Sequence, residues 1–107
     1  MADLRSLSLL RNDPVEAEHL LRDAEKGDVD AQYAAGLIYA EGRGVEINEV
    51  LSFFWLTLAY EQGDKDAGML RNIVGTNMSQ QDYDCALDLV RKHKSAGFQF
   101  GSTAPVQ

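Results

Sequence analysis

A chain of 107 residues, 45% hydrophobic and 25% charged, has the make-up of one globular domain, which argues against a disordered polymer or a collagen-like chain and leaves a second independent domain unexpected. Its apolar runs are too short for a membrane span, since even Leu51 to Tyr60 is interrupted by Ser52 and Thr57. The net charge of −7 is concentrated between Asp13 and Asp66, where 13 acids stand against Arg22, Lys26, Arg43 and Lys65; this argues against nucleic acid and favours, if anything, a basic protein surface as partner.

Residues 1–12 carry Leu4, Leu7 and Leu10 at three-residue spacing, which suits a short helix or an arm laid over apolar surface. The early acid Asp3 and the lack of a sustained apolar stretch do not read as a secretory signal, and the single cysteine, Cys85, offers no internal disulfide. A cytoplasmic location is therefore expected.

The helical domain is expected over residues 13–95. Asp13-Pro14-Val15-Glu16 combines an N-cap acid, a proline at the first helical position and a glutamate at the third, so helix 1 is predicted over 14–26, ending at Gly27. Asp28 caps helix 2, predicted over 29–41, whose Ala31, Ala35, Leu37, Ile38 and Tyr39 recur at three- and four-residue spacing until Gly42-Arg43-Gly44. Asn48 opens helix 3, about 49–62, with Val50, Leu51, Phe54, Trp55, Leu58 and Ala59 as its apolar set. Asp64 opens helix 4, about 65–76, with Ala67, Leu70, Ile73 and Val74 inward. Ser79-Gln80-Gln81-Asp82 resembles a weak capping box for helix 5, striped by Tyr83, Ala86, Leu87 and Val90. Short links between the helices favour antiparallel hairpins. Residues 96–107, rich in Gly, Ser, Thr and Pro, are expected to form a flexible tail in which Phe98 and Phe100 stand isolated.

Self-comparison reveals a repeat: Glu25-Lys26-Gly27-Asp28-Val29-Asp30-Ala31 recurs as Glu61-Gln62-Gly63-Asp64-Lys65-Asp66-Ala67, 36 residues on. Such a period signals stacked units, each needing its neighbour to complete a core. The pattern Ala31, Gly36, Tyr39, Gly42, Gly44, Val45, Trp55, Ala59 and Gly63 resembles the Sel1-like repeat family, a branch of the tetratricopeptide-like α-solenoids in which helices A and B pair. The resemblance implies an all-α, right-handed solenoid of helical hairpins, about five helices, with one complete repeat and partial flanking ones. It covers about Ala24 to Ala67. Glu46 and Asn48 stand where a loop proline and an acid are common, Tyr60 replaces a small residue, and the second unit lacks a Gly-x-Gly-Val loop, so helices 4 and 5 read as a terminal cap. Some relatives are secreted, bridge each repeat with a cysteine pair and have been given a hydrolase role; lone Cys85 sets this chain apart from them.

The residues offer little for catalysis. Cys85 and His93 share helix 5 eight residues apart, roughly 12 Å along its axis, too far for a Cys–His pair. Cys85 is read as a half-buried small apolar residue. Asp28 and Asp30 lack the glycine and glutamate of a calcium loop, having Tyr33 and Tyr39 at those places, and Gly42-Arg43-Gly44 lacks the later residues of a phosphate loop. No metal and no cofactor are expected.

The tetratricopeptide-like resemblance implies instead a concave face lined by helix A residues. Carried over position by position, the partner-binding candidates are Asp30, Tyr33, Leu37, Ala40 and Glu41 on helix 2 and Asp66, Met69 and Ile73 on helix 4. Tyr33, Leu37, Met69 and Ile73 would anchor a partner, and Asp30, Glu41 and Asp66 would select positive charge. The expected function is a non-catalytic protein-binding module, an adaptor, inhibitor or immunity-type regulator. A homodimer stacked through helix 1 or helix 5 is the alternative, and a small hydrolase using His19, His93 or Cys85 a distant third.

Overall fold

The computed structural model describes residues 13–101, with side chains from 13 to 95; the N-terminal arm expected over residues 1–12 lies outside them. Five helices follow one another: α1 Pro14–Glu25, α2 Val29–Glu41, α3 Glu49–Glu61, α4 Lys65–Asn77 and α5 Gln80–Gly101. There is no strand among the described residues.

Each helix begins where a short polar side chain satisfies amide groups that the first turn leaves unpaired. Asp13 accepts from the amides of Val15 and Glu16 at 3.0 and 3.3 Å. Asp28 accepts from Ala31, Asn48 from Leu51 and Asp64 from Ala67, each at 3.0 Å. Ser79 accepts through its hydroxyl from the amide of Asp82, also at 3.0 Å. Caps of this kind contribute about 1 kcal/mol apiece.

The link between α2 and α3 turns on glycine. Gly42 and Gly44 have φ of 73° and 79°, in the left-handed region that costs other residues free energy. A Cβ on Gly44 would also stand 2.6 Å from the Asp13 carbonyl oxygen. The loop then closes when the Asn48 amide donates to the Tyr39 carbonyl at 2.9 Å.

Packing centres on α3, which lies against α2, α4 and α5, while α1 packs on α2. One buried cluster joins Ala17, Leu20 and Ala24 of α1, Ala31, Ala34, Ala35 and Ile38 of α2, Trp55 and Leu58 of α3, and Val90 of α5, with Tyr39 and Val45 packed against it. A smaller one joins Leu56, Ala59 and Ala67, flanked by Val29, Tyr33, Leu70 and Val74. Close approach of α2 and α3 depends on Gly36: a Cβ there would meet Leu56 at 2.4 Å, and the Ser52 hydroxyl donates to its carbonyl at 2.7 Å. Small residues at the crossing let the two helices interlock.

Three sequence-based expectations change. On α3 the most deeply buried large side chains are Phe53 and Leu56, outside the expected stripe, while Val50, Leu51 and Phe54 are only half-buried. A helix with neighbours on three sides buries more than one stripe, so a single-face periodicity underestimates it. On α4, Ile73 is 57% exposed and not inward, because α4 ends the stack and has only α3 firmly behind it. Finally, the helical backbone of α5 continues to Gly101, past Ala96, where the tail was expected to begin.

Candidate partner-binding surface

The 36-residue period sets α2 and α4 in equivalent roles, so Asp30 corresponds to Asp66, Tyr33 to Met69 and Leu37 to Ile73. On each helix these positions fall within one stripe, since steps of three and four residues return to the same side. The two stripes adjoin at their N-terminal ends. Tyr33 packs against the cluster of Leu56, Ala59 and Ala67, on which Leu70 and Val74 of α4 also pack. Burial first, and then the carboxylates of Asp66 and Asp64, push its phenol above the ordinary tyrosine range.

Exposure divides the candidates. Met69 and Ile73 are 65% and 57% exposed, whereas Tyr33, Leu37 and Ala40 are half-buried. Asp30 and Asp66 face solvent. Glu41 is also exposed but already accepts from the Arg43 guanidinium at 2.8 Å, which blunts its charge. The surface therefore offers two exposed apolar side chains on α4, half-buried Tyr33 and Leu37 on α2, and an acidic margin where α2 and α4 begin.

The neighbouring turns are tied together by amides that the sequence reading did not single out. Gln62 donates through Nε2 to the Gly27 carbonyl at 3.0 Å and to Gln32 Oε1 at 2.7 Å. Gln32, buried, donates in turn to the Ala24 carbonyl at 3.1 Å. The repeated turn at Gly27 and Gly63 was a visible signal that these segments stack; which side chains bridge them was not.

The residues weighed for catalysis do not gather. A shallow groove of about 290 Å³ beside the α1–α2 turn is lined by Gln32, Gln62, His93 and Lys94 among others, but by neither His19 nor Cys85. His93 packs edge-on against Phe54, ring centroids 5.5 Å apart. Cys85 is exposed and not half-buried as expected: α5 has one covered side, set by Ala86 and Val90, and Cys85 points off it. No group of three or more His, Cys, Asp or Glu among the described residues is placed to hold a metal ion. No helix among them is long and apolar enough to cross a membrane.

Comparison with known proteins agrees with this architecture. Residues 29–64, about a third of the chain, match the family model described as the Sel1 repeat. The match starts at the first residue of α2 and ends on Asp64, the cap of α4. Neither the curated proteins nor the solved structures yield a match. Sel1 repeats generally mediate contacts between proteins. With its 36-residue period, paired helices and Gly-x-Gly-Val loop, the chain carries a Sel1 repeat over residues 29–64, set in an all-α, tetratricopeptide-like fold.

Proposed function

We propose that the chain is a non-catalytic binding module whose α2–α4 surface receives a segment of another polypeptide. Met69, Ile73, Tyr33 and Leu37 are its apolar anchors, and Asp30, Asp66 and Glu41 select a basic partner. An adaptor, inhibitor or immunity-type regulator in the cytoplasm fits this reading, and neither cofactor nor metal enters it. The observation that carries it is the exposure of Met69 and Ile73, 65% and 57%, on the helix equivalent to α2 in a repeat family that binds proteins. Two adjacent large apolar side chains left in water, with an acidic margin beside them, mark a surface suited to contact.

The test places a photo-crosslinking residue at Ile73 and, as a control, at the exposed Asp84 of α5, then identifies by mass spectrometry what each captures. The expected result is one partner segment, rich in Lys or Arg, from Ile73 alone. Met69→Glu with Ile73→Glu should leave stability within about 0.5 kcal/mol, since both positions are exposed, and weaken that partner by about 2 kcal/mol, roughly 30-fold. Unchanged affinity in the double variant would place the binding surface elsewhere. The exposed pair makes a cleaner probe than Tyr33→Ala or Leu37→Ala, whose half-buried side chains also serve the fold.

A further inference from the structure

The described arginines are of two kinds. Arg22, Arg43 and Arg91 each hold a carboxylate, of Glu18, Glu41 and Asp88, at 2.9, 2.8 and 3.5 Å. Arg71 holds none among the described residues, although the chain has a net charge of −7. It is held by other means. Its guanidinium carbon lies 4.7 Å from the Phe53 ring centroid and 5.9 Å from that of Tyr60. Nε donates to the Thr57 hydroxyl at 2.9 Å, and that hydroxyl donates to the Phe53 carbonyl at 2.7 Å, so the acceptor is itself fixed. Nη1 makes a longer contact with Asn72 Oδ1, 3.3 Å. The Tyr60 ring is seated against Gly68, where a Cβ would come within 2.4 Å of a ring carbon.

These contacts engage two of the five N–H groups of a guanidinium. Aromatic rings attract its flat side and leave its edge open to acceptors. The group is half-buried and Tyr60 is 48% exposed, so water competes less for the edge than at a fully exposed arginine. Arg71 also lies two residues from both Met69 and Ile73, about 200° around α4, and so on a different side from the surface described above.

We propose that Arg71, oriented by Phe53, Tyr60 and Thr57, is an anchor for a planar carboxylate on a bound polypeptide. A carboxylate matches the fork with parallel hydrogen bonds and a single negative charge. A phosphate dianion would bring two charges to one cation inside an acidic protein, and is the weaker ligand. The carboxylate can come from an aspartate or glutamate side chain or from a chain terminus. The inference stands independently of the α2–α4 reading, because it concerns another side of α4 and is tested without a protein partner.

The experiment follows the arginine Nε–H signals of the whole chain by NMR. The chain is titrated with N-acetylglycine, which carries a terminal carboxylate, and with N-acetylglutamic acid α-amide, which carries a side-chain one. The signal of Arg71 should shift to saturation with one or both, the tighter identifying the source, with affinity about tenfold above any response at Arg22. N-acetylglycinamide should leave it unmoved, and inorganic phosphate should act more weakly. Arg71→Lys, which keeps the charge without the fork, should abolish the matching response of the Tyr60 ring protons. A brace between α3 and α4 alone would give no saturable shift. That result, or a shift shared equally by Arg22, Arg43 and Arg91, or a Lys variant that still responds, would overturn the proposal.

Discussion

The α2–α3 hairpin and the α4–α5 segment begin with the same chemistry and are then completed very differently: α2 and α3 pack on each other, whereas α4 and α5 each pack on α3. At their starts Asp28 and Asp64 make the same 3.0 Å cap to Ala31 and Ala67. Beyond that point α2 buries six residues, from Ala31 to Ile38, whereas α4 buries only Ala67 and Gly68. The hairpin is joined by the loop of Gly42 and Gly44; α4 and α5 are linked by little more than Met78 and Ser79. Local turn chemistry is thus repeated while burial is not, because α2 and α3 have neighbours on both sides and α4 closes the stack. The residues that the stack fails to cover, Met69 and Ile73, are those offered for partner binding.

If the first hairpin carries the core, truncations there should cost most. Trp55→Ala is expected to lose about 4 kcal/mol, a large share of the stability of a domain this size. Leu70→Ala, on the half-covered α4, should lose about 2 kcal/mol or less. Urea unfolding of both variants measures the gap, and equal losses would break the comparison.

The glycines sharpen it. Gly36→Ala forces a methyl onto Leu56, which is 1% exposed and has nowhere to move, so a loss of about 2 kcal/mol is expected despite alanine's better helix propensity. Gly68→Ala meets the ring of Tyr60, 48% exposed and able to swing into solvent. Its thermal midpoint should therefore stay close to that of the parent, the helix gain of about 1 kcal/mol offsetting the lost ring contact.

The smallest effect concerns the place where α2 meets the start of α4. The Tyr33 phenol is raised by burial, then by Asp66 and Asp64, and Tyr39 by burial, then by Glu25. A raised folded value means that the neutral form is favoured in the native state. Its contribution to stability is full below the unfolded value near 10 and is lost as pH climbs through the folded one. Asp66→Asn should move the Tyr33 titration down without returning it to the ordinary value, since burial persists. An ultraviolet titration of tyrosinate, compared with Tyr33→Phe to assign the signal, reads the change; no movement would mean that α4 does not sit beside Tyr33.

Much of this fold was legible because its boundaries are written in local chemistry. The predicted 14–26, 29–41, 49–62 and 65–76 differ from the observed helices by at most one residue at either end, for each starts at an aspartate or asparagine whose side chain reaches only its own first turn. Gly42 and Gly44 likewise announce the backbone they adopt. What the sequence hides are contacts between distant positions. Nothing near Gln62 points to Gln32 or Gly27, and nothing beside Arg71 indicates that Phe53 and Tyr60 flank it. The burial of Phe53 depends on α4 and α5 arriving on its side of α3, where its ring meets Tyr83 at 5.2 Å between centroids. The candidate surface was legible as a set of positions through the family pattern, but the split between exposed Met69 and Ile73 and half-buried Tyr33 and Leu37 was not, since equivalent places in a repeat differ in how many neighbours they have.

The glutamine relay from Ala24 through Gln32 and Gln62 to Gly27 also bears on how the proposed binding would proceed. By joining the end of α3 to the preceding turn, it resists splaying of the A and B helices, so the angle between them is set before any visitor arrives. A partner of the proposed surface would then give up its own freedom without having to reorganise its host, which favours quick, shape-selective encounter over slow mutual adjustment.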